Sequence, residues 1–191
     1  MQKTVLAAVL VCVAVSGNAF AQAKPTAPAQ PAAQAAAPAN PITAGTKAIY
    51  EVVKGYITKA AEQVPESLYS FKATPDVRSL GQLFAHVADG NIEFCGPVSG
   101  GKAPAGDTEK TKTTKADIQK ALAASFAYCD SVYASMTDAE GAKIVDLFGM
   151  KLPKLSILGF NTAHDFEHYG NIVTYMRLNK MVPPSSQGRG M

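Results

Sequence analysis

The stretch Asn161 to Tyr175, NTAHDFEHYGNIVTY, decides how this chain is read. It carries His164 and His168, two of the three histidines in the sequence, four residues apart in a segment with helical character. On a helix that spacing turns about 40° and rises about 6 Å, so both imidazoles leave one face as neighbours and can close on one metal ion. The third histidine, His86, lies far upstream in FAHVADGNIEF, another helix-like stretch. The pair alone is weak evidence, since a surface helix can show it by chance. A third histidine on a second core-facing helix, with none elsewhere, favours one shared site.

Working outward, the periodic pattern extends this helix from near Lys154 to near Lys180, where Val182-Pro183-Pro184 stops it. Before it, residues 144 to 153, IVDLFGMKLP, are apolar and broken by Gly149 and Pro153, which suits a short hairpin or an irregular packing loop. Thr114 and Asp117 form a capping box that opens a preceding helix, with Ile118, Leu122, Phe126, Cys129 and Val132 or Tyr133 turned inward. Gly96 to Thr113 is rich in Gly, Pro, Lys and Thr and reads as a long exposed crossover. The helix bearing His86 is expected to begin at Thr74-Pro75-Asp76, with Leu80, Leu83, Phe84 and Val87 as its apolar stripe and His86 at the edge. A first helix over Thr43 to Gln63 buries Val53, Tyr56, Ile57 and Ala60, and also Ile49 and Val52, before Pro65. Four amphipathic segments without an alternating strand pattern make an all-α four-helix bundle the economical architecture. The long second connection implies that helices two and three run parallel.

The N-terminus is of another kind. Lys3, the apolar run Val5 to Val15 and Ala19-Phe20-Ala21 read as a secretory signal over residues 1–21, with the mature chain starting at Gln22. That places the protein outside the cytoplasm, in a periplasm or the extracellular space. The apolar run is shorter than the ~20 residues of a spanning helix, so no stable membrane insertion is expected. Residues 22–41 are Ala/Pro-rich, with prolines at 25, 28, 31, 38 and 41, and read as a disordered linker. The bundle then occupies 42–184, and 185–191 form a flexible tail. The net charge of +3 comes without a Lys/Arg cluster, which argues against a nucleic-acid partner. Cys95 and Cys129 remain after export. They approach each other if helices two and three are parallel, or they stay two buried free thiols.

Neutral imidazoles are good ligands for Zn, Ni, Fe or Cu, and three of them leave a position for water or substrate. Asp89, Glu93, Asp165 and Glu167 lie near the ligands in sequence and could orient an imidazole or act as general base to a metal-bound water. Asp89, Glu167 and Tyr169 are the catalytic candidates, with Asn161 as a further lining residue. Asp165-x-x-His168 imitates half of a di-metal carboxylate motif, but Leu83 stands where the other half needs an acid before His86. No G-x-S-x-G elbow or dinucleotide fingerprint is present, and GPVSGGK lacks the spacing of a phosphate loop. Cys95 falls on roughly the opposite helix face from His86, which argues against a thiol-imidazole pair.

The pieces LYSFKATPDVRSLGQLFAHVADGN and AHDFEHYGNIVTYMRLNKMVPPSS resemble the second and fourth helices of the DinB (damage-inducible protein) superfamily. The resemblance implies a four-helix bundle in an up-down-down-up arrangement, with a divalent metal held by one histidine from helix two and an H-x-x-x-H pair from helix four. Those positions are His86, His164 and His168 in this sequence. It also implies a homodimer, and hydrolysis or thiol transfer on a small-molecule substrate. The exported N-terminus departs from mostly cytosolic members and sets cytosolic-thiol chemistry in doubt. The expectation is therefore a metal-dependent hydrolase or transferase, and the alternative a non-catalytic metal-binding or stress-associated module.

Overall fold

A computed structural model describes residues 39–188. The signal sequence and nearly all of the linker expected from the sequence lie outside the described residues.

Four long helices form the bundle: α1 (Pro41–Gln63), α2 (Leu80–Ser99), α4 (Lys115–Ser135) and α6 (Lys154–Leu178). Two single-turn helices, α3 (Thr108–Thr111) and α5 (Asp138–Gly141), and a two-stranded hairpin, β1 (Ile144–Leu147) and β2 (Met150–Pro153), fill the connections. Among the described residues no helix is long and apolar enough to cross a membrane.

Helix α1 starts at Pro41, two residues earlier than the sequence suggests, because proline is tolerated in a helix's first turn. Its inward face carries Tyr50, Val53, Ile57, Ala60 and Ala61, while Ile49 and Val52 stay exposed. The start of α2 corrects the sequence reading. Thr74-Pro75-Asp76 does not open the helix. Ser79 does, through a reciprocal capping box: its Oγ accepts from Gln82 N and its own N–H donates to Gln82 Oε1 at 2.8 Å. Two satisfied orphan donors outweigh a proline signal five residues earlier. Helix α2 also runs past Gly96 and Pro97 to Ser99, and Gly100 then takes the left-handed conformation (φ 69°) that ends it. The crossover is therefore shorter than its composition implies.

Thr114 caps α4 as expected, accepting from Asp117 N at 3.1 Å. Ile118, Leu122, Phe126, Cys129, Val132 and Tyr133 are all buried. The 144–153 segment resolves to the hairpin reading, with Leu147 opposite Met150. Phe148 (φ 54°) and Gly149 (φ 81°) both take the positive φ of a two-residue turn. Glycine does so freely, whereas an exposed phenylalanine is strained there.

The pairs Asn91–Ser125 and Cys95–Cys129 advance together along α2 and α4, so these helices run in the same direction. Cys95 and Cys129 form a buried disulfide with Cα atoms 5.6 Å apart. Between α2 and α6 the order reverses, with His86 meeting His164 and His168 and Phe94 meeting Phe160. The core at the α1–α4 contact stacks Tyr50 on Tyr133, with ring centroids 4.1 Å apart. Both hydroxyls are satisfied there. Tyr50 donates to Asp130, and Tyr133 donates to the Leu158 carbonyl. Burial, with the Asp130 carboxylate second, holds the Tyr50 phenol far above its ordinary range. After α6, Ser185 and Ser186 are tied back by Tyr169 and Arg177, so the docked part of the chain extends beyond Pro184.

Candidate metal centre

Helices α2 and α6 cross where a small residue lets them. A Cβ on Gly90 would stand 2.9 Å from His164 Nδ1 and nearer still to Cε1, so the His164 ring occupies space that only glycine leaves. One turn back along α2, His86 points into the same crossing. His164 and His168 enter it from α6.

All three rings present Nε2 to one point. His164 Nε2 lies 3.3 Å from His86 Nε2 and 3.1 Å from His168 Nε2. One ligand atom from each residue falls within 4.8 Å of both others. Four nitrogens arranged tetrahedrally at ~2.0–2.1 Å from zinc stand roughly 3.3 Å apart, so the spacing fits a shared ion. Hydrogen bonding alone explains it poorly, because a neutral imidazole has one N–H and His164 Nε2 faces two nitrogens at once. The outer nitrogens point the same way. Apart from Thr43 Oγ1, every buried side-chain polar atom without a partner among the described residues lies on α6 between Asn161 and His168. These atoms are Asn161 Oδ1, His164 Nδ1, both Asp165 oxygens and His168 Nδ1. Unpaired polar atoms are costly in a core, and their concentration at one crossing marks a site kept for something other than stability.

Electrostatics leave lone pairs available on two of the rings. Burial, then the neighbouring His164 and His86, lower the His168 pKa to about 3, so the ring stays neutral with lone pairs available. Glu109 Oε2 accepts from His86 Nδ1 at 3.0 Å, which leaves Nε2 as the lone-pair nitrogen. Asp165 is fully buried behind His164, with Oδ1 4.0 Å from its Nδ1. Desolvation pushes the Asp165 carboxyl up to about 6 against the pull of His164.

The catalytic candidates separate. Both oxygens of Asp89 are spent on backbone N–H groups of α3, on Thr108 at 2.7 Å and Glu109 at 2.9 Å. Its role is to seat the turn that carries Glu109. Tyr169 is buried against Tyr56, and its hydroxyl accepts from Ser185 N. Asn161 is buried and donates to Asn91. Glu167 is exposed and lines a cavity of about 650 Å³ whose wall includes His168, Leu83, Gln82, Arg78, Glu109, Asn171 and Tyr175. The sequence reading missed Glu109 and Arg78. Glu109 sits in a crossover whose composition signals only exposure, and its contact with His86 depends on the Asp89 cap, a tertiary event.

A family model for the DinB superfamily matches residues 49–172. The chain belongs to the DinB superfamily. Among solved structures, the chain is similar to a DinB-like protein from Bacillus cereus at 17% identity, covering 74% of this chain and 95% of that one, with a TM-score of 0.66. A DinB-like protein from Bacillus subtilis matches at 18% identity over 76% of this chain and 99% of that one, with a TM-score of 0.62. A mycothiol-dependent maleylpyruvate isomerase shares 13% identity, 68% of this chain and 60% of its own, with a TM-score of 0.57. At these identities the structural likenesses speak to the DinB fold. No curated protein matches the chain.

Proposed function

We propose that this DinB-family protein is an exported, metal-dependent hydrolase or transferase acting on a small molecule, with one divalent transition ion held by His86, His164 and His168. The observation that carries the reading is the convergence of three Nε2 atoms beside a cavity of about 650 Å³ that reaches His168. A bound ion of this kind supplies Lewis-acid polarisation and an acidified water. The chain supplies the rest. Glu109 fixes the tautomer of His86, burial keeps His168 neutral, and Leu83 and Tyr175 give the cavity apolar wall on which a ligand can seat. Glu167 is the catalytic candidate left on the cavity wall, and in this reading it takes the proton from water.

Thiol transfer is the competing chemistry, since one structural neighbour is a mycothiol-dependent isomerase. The Cys95–Cys129 disulfide and the signal-like N-terminus support an oxidising compartment, where small reduced thiols are scarce, and so favour hydrolysis. The test is a metal-reconstituted screen over esters, amides and thiol conjugates, run beside a His86→Ala/His168→Ala double variant. Turnover of an ester or amide, lost in the variant, is expected. Absent or equal turnover would leave a non-catalytic metal-binding module as the better reading.

A further inference from the structure

We propose that Arg78 is the receptor for a carboxylate on the molecule that occupies the cavity, so that the substrate class is small monoanionic carboxylates. The inference rests on the metal-centre reading for what the bound molecule is presented to, but Arg78 and Lys72, the cations of the anion site, are not among the residues that would hold the ion.

Arg78 lines the cavity from the residue before the α2 cap. Its placement is fixed at two points. Nε donates to Glu109 Oε1 at 2.9 Å, and its backbone carbonyl accepts from Tyr175 Oη at 2.7 Å. A guanidinium has five N–H donors, and the hydrogen bond to Glu109 uses only the one on Nε. Among the described residues neither terminal nitrogen has an acceptor, which leaves the planar edge that matches a carboxylate end-on. The Glu109 contact orients a guanidinium whose side chain is otherwise 42% exposed, which removes part of the ordering cost of binding.

The surrounding wall is rich in donors. Lys72 lines the same cavity, and its Nζ makes only a long 3.5 Å contact with the Pro75 carbonyl. Gln82 spends its Oε1 on the Ser79 N–H, so its amide nitrogen remains to donate. Three acids also line the cavity and decide the charge of the guest. Glu109 is committed to Arg78 and His86, whereas Asp76 and Glu167 are exposed on the wall. Two uncommitted carboxylates repel a phosphate dianion more than a single carboxylate, which selects the monoanion. Glu109 bridges the two functions, since one oxygen holds the anion receptor and the other holds a ring of the histidine triad.

The experiment titrates the metal-free mature chain, and then the zinc-loaded chain, with benzoate, with its neutral isostere benzamide and with inorganic phosphate. The readout is the Arg78 Nε–Hε resonance in the wild-type chain, with titration calorimetry giving the affinities of wild type and of the variants that lack it. Benzoate is expected to shift that resonance saturably, with benzamide and phosphate weaker. Arg78→Gln should weaken benzoate binding about ten-fold or more, as expected for a charge-assisted contact, with Arg78→Lys intermediate. Circular dichroism confirms that each variant is folded. Equal binding of benzoate and benzamide, stronger binding of phosphate, no binding, or wild-type affinity in Arg78→Gln would each overturn the proposal. Anion binding by a chain that takes up no zinc would leave this proposal standing and remove the metal centre. Zinc uptake with no Arg78-dependent binding would do the reverse.

Discussion

Helix α2 makes two seams that differ in kind. Toward α4 it is closed by the Cys95–Cys129 disulfide, with Phe84, Val87, Phe126 and Val132 buried nearby in the common core. Toward α6 it gives up a side chain at Gly90, admits three imidazoles and adjoins buried polar atoms with no partner. One helix thus carries the bundle's covalent clamp on one side and its least satisfied surface on the other. The difference teaches that the α4 seam supplies rigidity and the α6 seam spends it. Strained or unsatisfied groups persist only where the surroundings over-determine them.

The largest expected effect breaks the α4 seam alone. The disulfide closes a loop of 34 residues, and a Cys95→Ser/Cys129→Ser chain should lose about 3–4 kcal/mol of stability by the chain-entropy estimate. Its metal stoichiometry at low temperature should not change. Urea unfolding and elemental analysis read the two quantities separately, and a parallel loss of metal would show that the seams are not separable.

Gly90→Ala attacks the other seam. The added methyl would meet the His164 ring, so overpacking should cost about 1–3 kcal/mol and drive Nε2 away from its partners. Metal occupancy should fall far more than stability does. Retained stoichiometric metal would mean that His164 is not a ligand in the orientation described.

Ser79→Ala loosens the shared origin of both seams, because the capping box starts the only helix that belongs to both. A loss of about 1 kcal/mol is expected, as for other N-caps. Thermal unfolding checks it, and the same substitution at Thr74 should do almost nothing, since α2 does not begin there.

The smallest effect concerns how α6 is anchored. Lys143, then Lys154, hold Glu140 down at about 2, from an ordinary 4.5. A depressed acid stabilises the fold above its unfolded pKa and loses that contribution as pH falls through the folded value. The stability difference between wild type and Glu140→Gln should therefore be constant above about pH 5 and vanish toward about pH 2. A difference that persists at the acid end would assign the contact to packing.

What the sequence made legible follows the same division. The α4 seam was readable because helical spacing puts Ile118, Leu122, Phe126 and Cys129 on one face. The three histidines were readable because they are the whole supply of imidazole in the chain. The start of α2 was misread because Thr74-Pro75-Asp76 and Ser79 to Gln82 both carry cap chemistry, and only the second is followed directly by a buried residue, Leu80. Glu109 and Arg78 stayed hidden because they reach the site through contacts across 23 and 31 residues, which no local spacing encodes. Asp89 was misassigned for a related reason. Its neighbour in sequence is His86, while its partners in space are backbone amides of α3.

Metal content tests the central claim most directly. The purified chain, loaded with zinc and dialysed, should hold about one ion per chain. His164→Ala, which removes the ring whose Nε2 faces both others, should hold none while remaining helical. Equal zinc in wild type and His164→Ala would contradict the account, and the crossing of α2 and α6 would then be a polar defect in the core.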